Sequence, residues 1–149
     1  MFKVQIESNF IKGAVLIFLC ICTVFDIRKK EIPLILAGSG MAAAVGFTIW
    51  QIGNRTVFAA QILSALLPGL FFLLVSWCTK EKVGYGDGIL LLITGLMTGF
   101  NQCLTGLCIS LFLSAFFGVL LLFLHKAKKS SRIPFVPFLT MGMGVCFIL

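Results

Sequence analysis

Charge is scarce in this sequence, and the residues that build metal or disulfide sites are few or badly placed. Its 149 residues include five acids and a single histidine, His125, so a zinc site built on several imidazoles is excluded. The six cysteines lie within apolar runs and form no C-x-x-C pair, which favours a role as small side chains compatible with a membrane over disulfides or a metal cluster. We therefore expect neither a metal nor a cofactor.

The uncharged stretches are long, and they predict membrane-spanning helices. Hydrophobic residues make up 60% of the chain, above the roughly 50% of soluble domains, and a helix crosses a bilayer with about 20 apolar residues. The runs are continuously apolar, which predicts helices and not a β-barrel. The predicted fold class is an all-α membrane protein, a polytopic bundle formed by a single domain over residues 1–149, with about six transmembrane helices at residues 10–25, 32–52, 57–79, 88–100, 103–124 and 133–149.

The stretch from residue 88 to residue 124 carries no charge but is too long for one crossing. As a single helix it would extend about 55 Å, well beyond a hydrocarbon core of about 30 Å. We predict that the chain folds back at residues 99–102, where a glycine, an asparagine and a glutamine favour a bend.

Lysine and arginine give the chain a net charge of +7, but they cluster between the apolar runs. The positive-inside rule predicts that the clusters at residues 28–30, 80–82 and 125–132 face the cytoplasm and that both termini lie outside. Such loops also contact anionic lipid headgroups. No groove-reading element or basic stripe accompanies the charge, so nucleic-acid binding is not expected. No small-x-small cleavage site follows the first apolar run, which is therefore expected to be retained.

Two of the acids flank predicted spans on the same side of the membrane. Asp26 follows the first span and Asp87 precedes the fourth, and the two crossings between them return both carboxylates to the cytoplasmic interface. Each acid could simply mark a helix end, but acids at a bilayer are costly and often functional. When two carboxylates lie close together, one holds a proton while the other acts as a base. Such a dyad can activate a water molecule to attack a peptide carbonyl and can protonate the departing amine.

Three glycines surround the second acid, in the order Gly84, Gly86 and Gly88. Their lack of a Cβ atom permits positive φ angles and allows another backbone to approach closely. We expect this segment to give a peptide substrate access to Asp87. The same glycines could instead form only a flexible helix start.

Three segments resemble the signature sequences of the type IV prepilin peptidases, a family of membrane aspartic proteases. They are VGYGD at residues 83–87, DIRKKEIP at residues 26–33 and IPFVPFLTMG at residues 133–142. The resemblance implies that Asp26 and Asp87 are the catalytic pair, supported by motif residues Gly84, Tyr85, Gly86 and Pro33. It also implies cleavage of short basic leaders from pilin-like precursors, usually after a glycine, at the cytoplasmic face of a prokaryotic inner membrane.

The chain departs from the family's usual pattern in two places. Leu34 stands where an asparagine or aspartate often follows the proline, and Gly88, Ile89 and Leu90 stand where a lysine often follows G-x-G-D. Nothing matches the cysteine-containing N-terminal region of longer members, so the chain resembles the compact members and no methyltransferase activity is expected. The alternatives are a small transporter or channel that uses the two acids as proton or cation sites, and a structural membrane subunit.

Overall fold

The described part of the chain consists almost entirely of helices. A computed structural model describes residues 2–29, 33–54, 59–78, 84–123 and 135–148. These ranges contain six α-helices and no strand: α1 (Phe2–Lys29), α2 (Leu34–Gly53), α3 (Ala59–Cys78), α4 (Tyr85–Thr98), α5 (Phe100–Phe123) and α6 (Val136–Ile148). The predicted fold class, an all-α polytopic bundle, is confirmed.

Four of the helices are long and apolar enough to cross a membrane, at Asn9–Arg28, Leu34–Gly53, Ala59–Cys78 and Phe100–Leu121. Helices α4 and α6 are apolar but shorter, and the 14 residues of α4 extend only about 21 Å. The predicted fourth span began at residue 88, whereas α4 begins at Tyr85 and so includes Asp87 in its first turn. The predicted first span began at residue 10, whereas α1 begins at Phe2.

The predicted reversal between the fourth and fifth spans occurs at a single residue. Gly99 has a φ of 85°, a left-handed conformation that favours glycine, and α5 begins at Phe100. The other three residues of the predicted bend therefore belong to α5. The Cys103 thiol lies 3.7 Å from the carbonyl oxygen of Leu91, so the two helices fold back on each other as expected.

Helices α3 and α4 pack closely because small residues lie at their contact. A Cβ atom on Gly88 would lie 3.3 Å from the backbone nitrogen of Leu73, and one on Gly95 would overlap the carbonyl oxygen of Ala65. Gly88 of α4 meets Leu73 of α3, whereas Gly95, later in α4, meets Ala65, earlier in α3. The two helices are therefore antiparallel. The carboxyl end of α3 therefore lies beside the amino end of α4.

Helix α6 packs against both α1 and α5. The Thr23 and Thr140 hydroxyl oxygens lie 2.7 Å apart between α1 and α6, and Gly142 of α6 packs against the backbone of Gly106 on α5. The buried core lies among α1, α4, α5 and α6, and its fully buried side chains include Val15, Leu19, Leu90, Leu91, Ile93, Leu139 and Met143. The outward faces carry large apolar side chains that suit a lipid environment, such as Phe112, Phe116 and Trp77.

Candidate active site

Asp26 lies on α1, one turn before the helix ends at Lys29. Its side chain is buried, with 8% of its surface exposed. The Oδ2 atom accepts a hydrogen bond from the backbone N–H of Val136 at 3.2 Å. Burying a carboxylate is costly unless it gains such a partner, so this amide stabilises the buried position of Asp26.

The donor belongs to the first residue of α6, where backbone N–H groups lack partners within the helix. A carboxylate at this position both satisfies a free donor and meets the positive end of the helix dipole. Sequence reasoning did not find Val136, because its apolar side chain carries no functional signal. The only available clue was Pro137, since proline is common in the first turn of a helix.

Asp87 lies in the first turn of α4, at the same end of the bundle as Asp26. Its backbone N–H donates to the carbonyl oxygen of Gly84 at 3.1 Å, and its side chain is partly exposed. Helices α1 and α4 contact each other, and Asp26 lies near the carboxyl end of one and Asp87 near the amino end of the other. The two acids that the sequence analysis paired therefore lie at the same end of two contacting helices.

The glycines around Asp87 lie at and within the start of α4. Gly84 precedes α4 with a φ of −64°, and Gly86 and Gly88 are helical. Within the described ranges only Gly99 has a positive φ, so the glycines at this site do not use the positive φ angles that are open to them, and Gly86 and Gly88 form part of a helix start. The close backbone approach does occur at Gly88, but the neighbouring backbone is that of Leu73 on α3.

Gly84 has a separate role beside the Asp87 side chain. A Cβ atom built on Gly84 would lie 3.3 Å from Oδ2 of Asp87, closer than most side-chain contacts. Glycine at this position therefore leaves room for the carboxylate. Tyr85 is the first residue of α4 and is 41% exposed at the same end.

Pro33 is the N-cap residue immediately before α2. Its carbonyl oxygen accepts hydrogen bonds from the N–H groups of Leu36 at 2.9 Å and Ala37 at 3.1 Å. Proline suits this position because it lacks the N–H group that a helix start leaves unpaired. Pro33 therefore stabilises the start of α2. Most of the basic residues predicted to face the cytoplasm lie outside the described ranges.

A polar cavity of about 460 Å³ lies at the opposite end of the bundle from the two aspartates. Its lining comes from the carboxyl ends of α2 and α4 and the amino ends of α3 and α5, and includes Gln51, Gln61, Ser64, Thr98, Asn101 and Gln102. These side chains are uncharged amides and hydroxyls. The cavity therefore lacks the paired acids that peptide hydrolysis by carboxylates requires.

The sequence profile of the type IV leader peptidase family matches residues 13–123, about three quarters of the chain. The match includes Asp26 and Asp87, whereas α6 lies beyond it. No curated protein and no solved structure matches the chain. The chain therefore belongs to the type IV leader peptidase family and is a membrane peptidase.

Proposed function

We propose that the chain is an aspartic endopeptidase in which Asp26 and Asp87 form the catalytic dyad. The observation that carries this proposal is the meeting of the chain's only two aspartates at one end of the bundle, each on a different helix. They lie 61 positions apart in sequence, yet both are found at the same end of two helices that contact each other. Close carboxylates share one proton, which supplies an acid and a base to the same substrate.

The dyad hydrolyses a peptide bond by moving two protons. The ionised carboxylate takes a proton from a water molecule, and the water oxygen forms a bond to the carbonyl carbon. The protonated carboxyl stabilises the resulting oxygen by a hydrogen bond. As the C–N bond breaks, the amine nitrogen takes the proton that the first carboxyl group accepted from water, which leaves the dyad with one shared proton, and the new carboxyl group leaves with the upstream fragment. No nucleophile of the enzyme becomes acylated.

The substrates proposed for this dyad are pilin-like precursors of type IV pilus and protein secretion systems. A family of leader peptidases cuts a leader from a longer chain, and a hydrophobic segment after the cut suits an enzyme whose described residues lie almost entirely in apolar helices. Both acids lie near helix ends, so cleavage at the membrane surface fits better than cleavage at its centre. By the positive-inside rule this surface is the cytoplasmic one.

The alternative function, a small transporter or channel, needs ionisable groups near the middle of the membrane. Asp26 lies one turn from the end of α1, and Asp87 lies in the first turn of α4. These positions favour the peptidase. Residues 1–149 then act as a single transmembrane peptidase domain.

The test uses the purified protein in lipid nanodiscs and pilin-like precursors encoded in the same genome. Intact mass spectrometry is expected to show one cut between a short basic leader and the hydrophobic helix. The matched control is the same precursor with the glycine before the cut replaced by a bulky residue, which is expected to resist cleavage. If every precursor stays intact with the folded enzyme, the proposed substrate class is wrong.

A further inference from the structure

The first turns of α6 touch the proposed dyad although this helix contributes no acid to it. We propose that α6 positions the Asp26 carboxylate, with the Val136 amide as the hydrogen-bond donor and the Thr140 hydroxyl as the group that fixes that amide against α1. The inference rests on the proposed function, because it treats Asp26 as a member of the dyad. Val136 and Thr140 act through Asp26 and are positioning residues.

The Val136 amide restricts how the carboxylate can turn. Its N–H donates to Oδ2 of Asp26 at 3.2 Å, and the Val136 side chain is fully buried. Holding one carboxylate oxygen limits rotation about the Cβ–Cγ bond and therefore the direction of the second oxygen. A donated N–H also favours the ionised form of the carboxylate, the form that accepts a proton from water.

A second polar contact lies one turn further along the same pair of helices. Thr140 is four residues after Val136, and Thr23 is three residues before Asp26. Their hydroxyl oxygens lie 2.7 Å apart, and the Thr23 hydroxyl donates to the carbonyl oxygen of Leu19 at 2.8 Å. The two contacts fix both the height and the rotation of α6 relative to α1.

The single hydroxyl proton of Thr140 has three acceptors within reach. These are Oγ1 of Thr23 at 2.7 Å, the carbonyl oxygen of Val136 at 2.9 Å and the carbonyl oxygen of Leu19 at 3.4 Å. Thr140 thus lies between the first turn of α6 and the backbone of α1. Two β-branched residues with hydroxyl groups meet here, one turn from the contact between the Val136 amide and Asp26, so two polar contacts join the same pair of helices.

Few other ionisable groups surround Asp26 in the part of the chain that the structure describes. Helix α4 contributes Asp87 and Tyr85, and α1 itself contributes Cys22 and Arg28. The ionisable residue of α6 is Cys146, near its far end. Removing the Val136 N–H is therefore expected to change the titration of the dyad without altering another nearby charge.

The first experiment compares Val136→Pro with Val136→Ala. Proline removes the N–H and suits the first position of a helix, whereas alanine shortens the side chain and keeps the N–H. Because the chain has two aspartates, ¹³C-aspartate labelling gives two carboxyl signals, which Asp26→Asn assigns. We expect Asp26 to ionise at higher pH in V136P than in V136A. Equal titration of Asp26 in the two variants would overturn the role of the amide.

The second experiment compares Thr140→Val with Thr140→Ser, and remains decisive where V136P does not fold. Valine keeps the shape and removes the hydroxyl, whereas serine keeps the hydroxyl. We expect T140V to lower kcat by on the order of tenfold with little change in KM, and T140S to restore most of it. The double variant T23V/T140V is expected to be no worse than T140V. Equal losses of kcat in T140V and T140S would show that Thr140 contributes only side-chain packing, and would reject the proposal.

The titration of Asp26 and the rate of precursor cleavage test this inference and the proposed function separately. The carboxyl titration needs no substrate, so it reports on the Val136 amide even if no precursor is cleaved. Cleavage of a precursor by wild type together with identical Asp26 titrations in V136P and V136A would retain the peptidase and reject the positioning role of α6.

Discussion

Asp26 and Asp87 are chemically identical side chains in different surroundings. Asp26 is buried and accepts a hydrogen bond from another helix, whereas Asp87 is partly exposed at the start of its own helix. An acid–base pair needs this kind of asymmetry, since one carboxyl group must hold a proton while its neighbour accepts one. In the proposed dyad, a substrate reaches the partly exposed Asp87, while the Val136 amide at the start of α6 holds the Asp26 carboxylate.

The pH dependence of cleavage follows from the shared proton. We expect kcat/KM to rise with pH as the first of the two carboxyl groups ionises, and to fall again as the second one loses its proton. The measurement is kcat/KM for one precursor across the pH range in which the enzyme stays folded. A profile with a rising limb and no fall would mean that a single ionised group is sufficient.

The two candidate acids are visible in the sequence, but the hydrogen-bond partner of Asp26 is not. Asp26 and Asp87 are noticeable because charge is rare in apolar runs, and counting the crossings between them predicts a common side. The Val136 amide gives no such signal, because every residue except proline has one and only the tertiary fold selects which one meets a carboxylate. The sequence left two interpretations of the glycines open, since a residue without Cβ serves helix packing as well as unusual φ angles.

The chain reversal between α4 and α5 depends on the backbone conformation of a single residue, Gly99. Gly99 has a φ of 85° and a ψ of 168°, a region that is almost restricted to glycine, and a Cβ atom there would meet nothing within 4 Å. We expect Gly99→Ala to destabilise the protein by about 1–3 kcal/mol through backbone strain alone. The measurement is thermal unfolding in detergent.

Gly46→Ala is the matched control for this change. Gly46 is helical and exposed, and its added Cβ would also meet nothing within 4 Å. Alanine is the better helix former, so G46A is expected to leave stability unchanged or slightly higher. Equal losses of stability in G99A and G46A would show that the turn between α4 and α5 does not require glycine.

The contact between α3 and α4 holds Asp87 through close packing of backbones. A Cβ atom on Gly95 would overlap the carbonyl oxygen of Ala65, which cannot rotate away as a side chain can. We expect Gly95→Ala to separate the helices, to cost about 1–3 kcal/mol of stability and to reduce cleavage. Gly38→Ala on α2, where the added Cβ meets nothing within 4 Å, should have neither effect. A stable and fully active G95A would contradict this packing role.

The apolar runs of the sequence predicted six helices in the observed order, but they predicted the first residues of α1 and α4 less well. Helix α4 begins at Tyr85 because Gly86 and Gly88 continue the helix rather than interrupt it. Helix α1 extends back to Phe2 because charged residues are acceptable in a helix outside the hydrocarbon region. Hydropathy reports burial in lipid, whereas a helix ends where its backbone hydrogen bonds end.

For the whole molecule, the alternating directions of the helices bring both acids to one end and the polar cavity to the other. The orientation of this arrangement in the membrane is a prediction from the basic clusters. A reporter fused after Asn54 or after the last residue is expected outside the cytoplasm, and one fused after Cys78 inside. The measurement pairs alkaline phosphatase, active outside, with a fluorescent protein that folds inside. A last-residue fusion active only inside would contradict the predicted topology.

The central claim is that Asp26 and Asp87 act as one catalytic unit. The most direct measurement is the rate of precursor cleavage by purified wild type, Asp26→Asn, Asp87→Asn and the control Glu7→Gln, each shown to be folded. We predict that wild type and E7Q cleave, and that D26N and D87N each lose activity by several orders of magnitude, with the double variant no slower than either. Substantial cleavage by folded D26N or D87N would contradict the account.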